Sequence, residues 1–156
     1  MGEALKKWLK MKKDLPCREE VGLNLRVAES LINIGVEKLL SGYGVTGAQY
    51  NVLRILNGVW PEGHARCAIA TRMIEPASDI TRIIDRLEKQ ELVVRDRNAE
   101  DRRVSVTRIT EKGRSLLQQL NPLVLRSSEE STKALSDEEC KELSRLLEKL
   151  YSDKID

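Results

Sequence analysis

From Glu19 onward the apolar residues of this 156-residue chain recur with helical period, and the breaks in that period mark out the elements. Val21, Leu25, Ala28, Ile32, Val36 and Leu39 or Leu40 follow at steps of three to four, which predicts a long helix over about 19–40, stopped by Gly42 and Gly44. Thr46 and Gln49 have capping-box spacing, so a second helix should start near Gly47 and run through Val52, Leu53 and Leu56 to Gly58. After the turn VWPEGH, residues 65–73 read as a short third helix with Cys67, Ala70 and Met73 inward. Glu75 and Pro76 end that helix and open a fourth over about 77–90, since proline fits the first helical turn. In this fourth helix Ile80, Ile83, Ile84 and Leu87 make one apolar stripe, and Ser78, Thr81, Arg82 and Arg86 lie on the opposite face.

Residues 92–95 and 104–109 have strand composition and predict a hairpin whose polar tip ends in Asp101, Arg102 and Arg103. Beyond it Thr110 is placed as an N-cap, and Leu116, Leu117, Leu120 and Leu123 or Val124 carry a helical stripe across Pro122, where a kink rather than a stop is expected. Ser136 and Glu139 form another capping box, and Cys140, Leu143, Leu146, Leu147 and Leu150 give the last helix a narrow apolar seam that calls for a second helix against it. Ahead of all this, residues 3–13 are a basic amphipathic segment: Leu5, Trp8 and Leu9 share a helical face, surrounded by Lys6, Lys7, Lys10, Lys12 and Lys13. That segment reads first as a short helix packing on the body or on a partner subunit, with DNA-backbone contact or membrane-surface binding as alternatives.

The terminal helices are leucine-lined and cannot obviously cover themselves, whereas 46–110 has the makings of a helix, helix, helix, hairpin unit. The expected fold is therefore mainly α with a small β-hairpin wing, a winged helix-turn-helix on a helical dimerisation platform. The chain divides into a basic N-terminal arm (1–18), a helical dimerisation region (19–45 and 111–156) and a winged-helix region (46–110). A helix with an exposed Ser/Thr/Arg face followed by a basic hairpin suggests DNA binding.

Charge qualifies that suggestion. The formal net charge is only +2, so affinity for nucleic acid cannot come from sheer positive charge, and any basic footprint must be local. Between Arg82 and Arg108 eight Lys or Arg face six Asp or Glu, so geometry must separate the signs if this surface is to meet phosphate. Aromatic residues make up 3% of the chain, with no Phe, which leaves Leu, Ile and Val to fill the core.

Taken together, the stretch 46–58, then IATRM (69–73), DITRIIDRLEKQELV (79–93) and RDRNAEDRRVSVTRITEKG (95–113), closely resembles the MarR family of bacterial transcriptional regulators over about 19–151. The combination of T-R-x-x-D-R-L-E, at Thr81, Arg82, Asp85, Arg86, Leu87 and Glu88, with the tip sequence E-D-R-R and the following T-E-K-G is specific. The resemblance implies winged-helix homodimers that bind double-stranded DNA at pseudo-palindromic operators. It makes 77–90 the recognition helix, with Ser78 and Thr81 reaching base edges or phosphates, Arg82 pairing with a guanine edge or anchoring to phosphate, and Arg86 touching backbone. Asp79 should then turn toward the helix N-terminus, away from phosphate. In the wing, Asp101 would orient its neighbours by accepting hydrogen bonds, and Arg103, with Arg102 or Arg97, would enter a narrow minor groove. The resemblance also implies a repressor responsive to a small-molecule effector. Asn33, Tyr50 and Trp60 lie in roughly the right segments for such a molecule, but core packing explains each equally well and no pocket is assigned.

Other chemistry finds little support. His64, the sole histidine, has no recognisable catalytic neighbours, and there is no Gly-rich phosphate loop, so no enzyme and no cofactor are expected. Cys17, Cys67 and Cys140 lack C-x-x-C spacing and imply neither a disulfide framework nor a zinc site. Cys67 and Cys140 are expected as small core residues. Cys17 is the sharper case, because one branch of the family senses peroxide through a cysteine near the start of the first long helix, and Arg18 beside it gives weak support for a thiolate. A thiol-based redox regulator, or a winged helix used for protein association, are the alternatives to a ligand-responsive repressor. With neither secretory signal nor membrane-spanning run, the expected location is cytoplasmic.

Overall fold

The computed structural model describes residues 2–76, 79–97 and 105–155, apart from the Arg97 side chain. The chain forms two units, residues 1–47 and 48–156.

In the first unit, helix α1 (Glu3–Leu9) precedes helix α2 (Cys17–Ser41). Helix α1 ends where Lys10 turns left-handed (φ 53°) and the Met11 N–H donates to the Lys6 carbonyl at 3.0 Å. Of the expected apolar face, Leu5 is buried, but Trp8 is 58% exposed; the segment is only seven residues long and presents its indole to solvent rather than packing it. Helix α2 begins two residues earlier than its periodicity suggests, directly after Pro16, whose backbone carbonyl accepts from the Glu19 and Glu20 N–H groups. Leu40 is its one buried residue, while Val21, Leu31, Ile32 and Ile34 stand exposed. Glu37 reaches past the helix end to accept from the Gly47 N–H at 2.8 Å, fixing the turn into the next element.

The second unit holds helix α3 (Gly47–Asn57), strand β1 (His64–Ala65), helix α4 (Arg66–Ala70), helix α5 (Ile80–Lys89), strands β2 (Val93–Arg97) and β3 (Ser105–Ile109), and helices α6 (Glu111–Thr132) and α7 (Asp137–Tyr151). The sheet has order β1-β3-β2, antiparallel throughout, so the expected two-stranded hairpin gains a third strand. His64 pairs with Thr107 and Ala65 with Val106. Two residues carry no readable period, and their strand exists only because β3 offers them an edge. Gly63 makes that approach feasible: its φ is +82°, and a Cβ there would stand 2.3 Å from the Thr107 carbonyl oxygen.

Val52, Leu53, Leu56, Ile69, Ile84, Leu87, Ile109, Leu117 and Leu120 make the core of this unit. Helix α4 is shorter than expected, and Ile69 is its buried residue; Cys67, assigned inward from the sequence, is exposed. Helix α5 starts at Ile80 rather than at 77, because Asp79 caps it by accepting from the Arg82 N–H at 3.2 Å, which leaves Pro76 ahead of the helix. Helix α6 runs unbroken through Pro122 and is capped, as expected, by Thr110. Ser136 and Glu139 complete a reciprocal capping box on α7, which has no buried residue of its own. Leu143, Leu146 and Leu150 are exposed along it. No described helix is long and apolar enough to cross a membrane.

Candidate nucleic-acid interface

Helix α5 carries three stripes, each repeating at i, i+4 and i+7. Ile80, Ile84 and Leu87 are buried. Thr81, Asp85 and Glu88 are displaced by one residue, about 100° around the helix, and Arg82, Arg86 and Lys89 by two, about 200°, nearly opposite the buried stripe. The cationic stripe is exposed along its whole length. Helical geometry thus puts the acids to one side and the cations outward.

The acids are also neutralised. Arg95, from β2, donates to the Asp85 carboxylate and, at 3.4 Å, to the Thr81 carbonyl, while its Nε lies 3.6 Å from a Glu88 carboxylate oxygen. Arg108, from β3, pairs with Asp96 and donates to the Glu62 carbonyl at 2.8 Å. Glu91 accepts from Lys112 at 2.8 Å, and that hydrogen bond holds its carboxyl below the usual glutamate range. Of the cations counted between Arg82 and Arg108, Arg95 and Arg108 are therefore structural. Arg86 and Lys89 have no ion-pair partner among the described residues, and Arg82 keeps only a loose contact with its cap, 3.7 Å from Asp79. Asp79 turns onto the helix N-terminus as expected, where its carboxylate accepts from the Arg82 amide.

Thr81 is half-buried, and its hydroxyl accepts from Arg66 at 2.9 Å. Arg66 opens α4 and is exposed, so it joins the surface of α5 as a cation that the sequence reading missed. Its signal was its position at the start of the helix preceding α5. Arg95 was missed as a holder of α5 because its partners lie 10 and 7 residues back, and only the α5–β2 turn brings them together.

That turn is tightly built. Glu91 adopts φ +60°, and the Glu91 and Leu92 N–H groups return to the Glu88 and Leu87 carbonyls at 2.9 and 3.0 Å, closing a Schellman motif. The Thr110 hydroxyl donates to the Glu91 carbonyl at 2.8 Å, and the Thr110 N–H donates to the Leu92 carbonyl at 3.1 Å. Gly113 completes the joint, since a Cβ on it would come within 2.2 Å of the Leu92 oxygen. The T-E-K-G run thereby locks the start of α6 to the end of α5.

Arg97 closes β2 opposite Ser105 in the ladder. Ser78, Asp101, Arg102 and Arg103, assigned to the recognition helix and wing from the sequence, lie outside the described residues. Cys17 is the first residue of α2 and is exposed; Cys140 is half-buried. His64 is half-buried in β1. The described residues hold no group of three or more His, Cys, Asp or Glu placed to bind a metal ion. Tyr50 is buried and donates to Asn121 at 2.9 Å, Trp60 lies beneath the Arg114 guanidinium at 4.6 Å, and Asn33 is exposed.

Comparison with known proteins agrees with this geometry. Residues 36–120 match the family model described as transcriptional regulator SarA/Rot. The chain is 30% identical over 117 residues to the HTH-type transcriptional repressor IacR of Pseudomonas putida, covering 74% of this chain and 68% of that protein. It is 37% identical to a MarR transcription factor from Planctomyces limnophilus of known crystal structure, with a TM-score of 0.70 over 88% of this chain and 98% of that one. A mutant MarR from E. coli, crystallised with operator DNA, shares the fold at 24% identity, with a TM-score of 0.74 over 87% of this chain and 99% of that one. The chain belongs to the MarR family of winged-helix transcriptional regulators.

Proposed function

We propose that the protein acts as a homodimer that recognises a pseudo-palindromic operator and represses transcription by occupying it. The observation that carries this reading is the outward stripe of Arg82, Arg86 and Lys89 on α5, opposite its buried face, with the neighbouring acids held by Arg95. A helix so arranged can lie in a major groove with its N-terminal residues, Ser78, Thr81 and Arg82, at base edges and with Arg86 toward phosphate. Arg97, Arg102 and Arg103, oriented by Asp101, are the proposed wing contacts in the adjacent minor groove.

Dimerisation is supported by apolar side chains that the single chain leaves uncovered, on α2 at Val21, Leu31, Ile32 and Ile34 and on α7 at Leu143, Leu146 and Leu150. Residues 19–45 and 111–156 would form that platform and set two recognition helices about one helical turn, ~10 bp, apart. Repression would be steric, through exclusion of polymerase from the promoter. Release would follow binding of a small molecule that favours a different separation of the two heads, which requires unequal affinity for the two states.

Gel retardation on the DNA upstream of the protein's own gene tests this reading. A tight, salt-sensitive complex of one dimer per site is expected. Retention that is weak, or insensitive to salt, would point instead to a winged helix used for protein association.

A further inference from the structure

The N-terminal arm holds the chain's positive excess. Residues 1–14 contain five lysines against Glu3 and Asp14, a surplus of three, whereas the remaining chain has 22 Lys or Arg against 23 Asp or Glu. Without its arm the protein would be slightly acidic.

The arm is also built rather than trailing. The Gly2 N–H donates to a Glu20 carboxylate oxygen at 2.6 Å, Leu5 is buried, and Lys6 spans back to Asp14 at 2.8 Å, closing the turn that the left-handed Lys10 begins. That bond holds the Asp14 carboxyl below its ordinary range and raises the Lys6 ammonium. One lysine is thereby consumed. Lys7, Lys10, Lys12 and Lys13 remain exposed, with no ion-pair partner among the described residues, and Trp8 stands exposed beside them.

From this we infer that the arm is a second, sequence-independent DNA contact, in which Lys7, Lys10, Lys12 and Lys13 meet phosphates flanking the operator. The inference rests on the operator-binding reading above. Charge complementarity favours DNA over an anionic membrane. A helix that binds a bilayer needs an apolar face to insert, and here the central apolar residue, Leu5, is already buried. Four compact ammonium charges on a short fixed turn suit a phosphate backbone and carry no base information. The arm would supply general affinity beyond what the segment from Arg82 to Arg108 offers with its excess of only two positive charges, eight against six.

The test compares the full-length protein with a Lys7→Gln/Lys10→Gln/Lys12→Gln/Lys13→Gln variant, which changes only exposed side chains. Both are titrated by fluorescence anisotropy against operator DNA with long flanks and against the operator core alone, over a range of salt. On the long duplex the variant should lower the magnitude of the salt slope by roughly two to four, and weaken binding more than tenfold at low salt. On the core the two proteins should bind alike. In a Trp60→Phe background, the emission of Trp8 should change on the flanked duplex and stay constant on the core. Equal slopes for the two proteins on the long duplex would overturn the inference. So would lysine-dependent binding to phosphatidylglycerol vesicles accompanied by unaltered DNA slopes. If the unaltered protein itself shows no salt-sensitive operator binding, the operator reading fails, and the arm inference falls with it.

Discussion

Arg95 of β2 donates to the Asp85 carboxylate of α5, and through this pair the strand governs which charges that helix presents. The same guanidinium reaches Glu88 and the Thr81 carbonyl, so it neutralises the acidic stripe and fixes the helix against the sheet at once. Replacing Arg95 with Ala should therefore harm DNA affinity more than stability. The pair is part-exposed, so the melting free energy should fall by about 1 kcal/mol or less. Affinity should fall about tenfold, equivalent to ~1.4 kcal/mol, as two carboxylates are released toward phosphate. Thermal melts and salt-titrated anisotropy on the same variant separate the two effects.

Glu91 occupies a left-handed position that glycine fills at less cost. Glu91→Gly should stabilise the protein by up to about 1 kcal/mol in denaturant titration, the relief of the Cβ strain outweighing an exposed ion pair with Lys112. The pair also leaves a pH signature. Because the folded carboxyl is held below its ordinary value, its contribution is complete above the usual glutamate range and is lost as pH falls through the depressed value. In Glu91→Gly that acid-side loss should vanish from the stability profile.

Gly113 should tolerate no side chain. An added methyl would meet the Leu92 carbonyl oxygen and the Ile109 side chain, at 2.2 and 2.8 Å. Gly113→Ala should cost ~1–3 kcal/mol in chemical denaturation, since backbone at the α5–β2 joint would have to move. A neutral result would show that the joint is loose.

Tyr50 ties α3 to α6 through its hydrogen bond to Asn121. Burial pushes the Tyr50 phenol above its ordinary value. The stabilisation it confers is thus present below the ordinary tyrosine pKa and is lost as pH rises through the raised one. Tyr50→Phe should lose about 1 kcal/mol at neutral pH and show a flatter alkaline limb, measured by melts across pH.

Much of this was legible because local chemistry and tertiary packing agree. The spacing of Ile80, Ile84 and Leu87 located helix α5, and the hydroxyls of Thr110 and Ser136 located the starts of α6 and α7, since caps act within one turn. Asp79 was read correctly in role, yet the helix was begun too early, because a proline that suits a first turn need not occupy one. Features set by distant partners were not legible. The strand His64–Ala65 exists through its pairing with Thr107 and Val106, and Cys67 was placed inward on a periodicity that so short a helix does not sustain. The separation of charge on α5 was half visible: the stripes follow from spacing, but the removal of Asp85 and Glu88 depends on where β2 delivers Arg95.

The most direct measurement is the affinity of the purified protein for DNA upstream of its own gene, across a salt series, beside an Arg82→Ala/Arg86→Ala variant. Nanomolar, salt-sensitive binding is expected, with the double variant losing about 2–6 kcal/mol of specific binding and a unit or two of salt slope. Equal binding by the two proteins would contradict the claim that the outward stripe of α5 reads the operator.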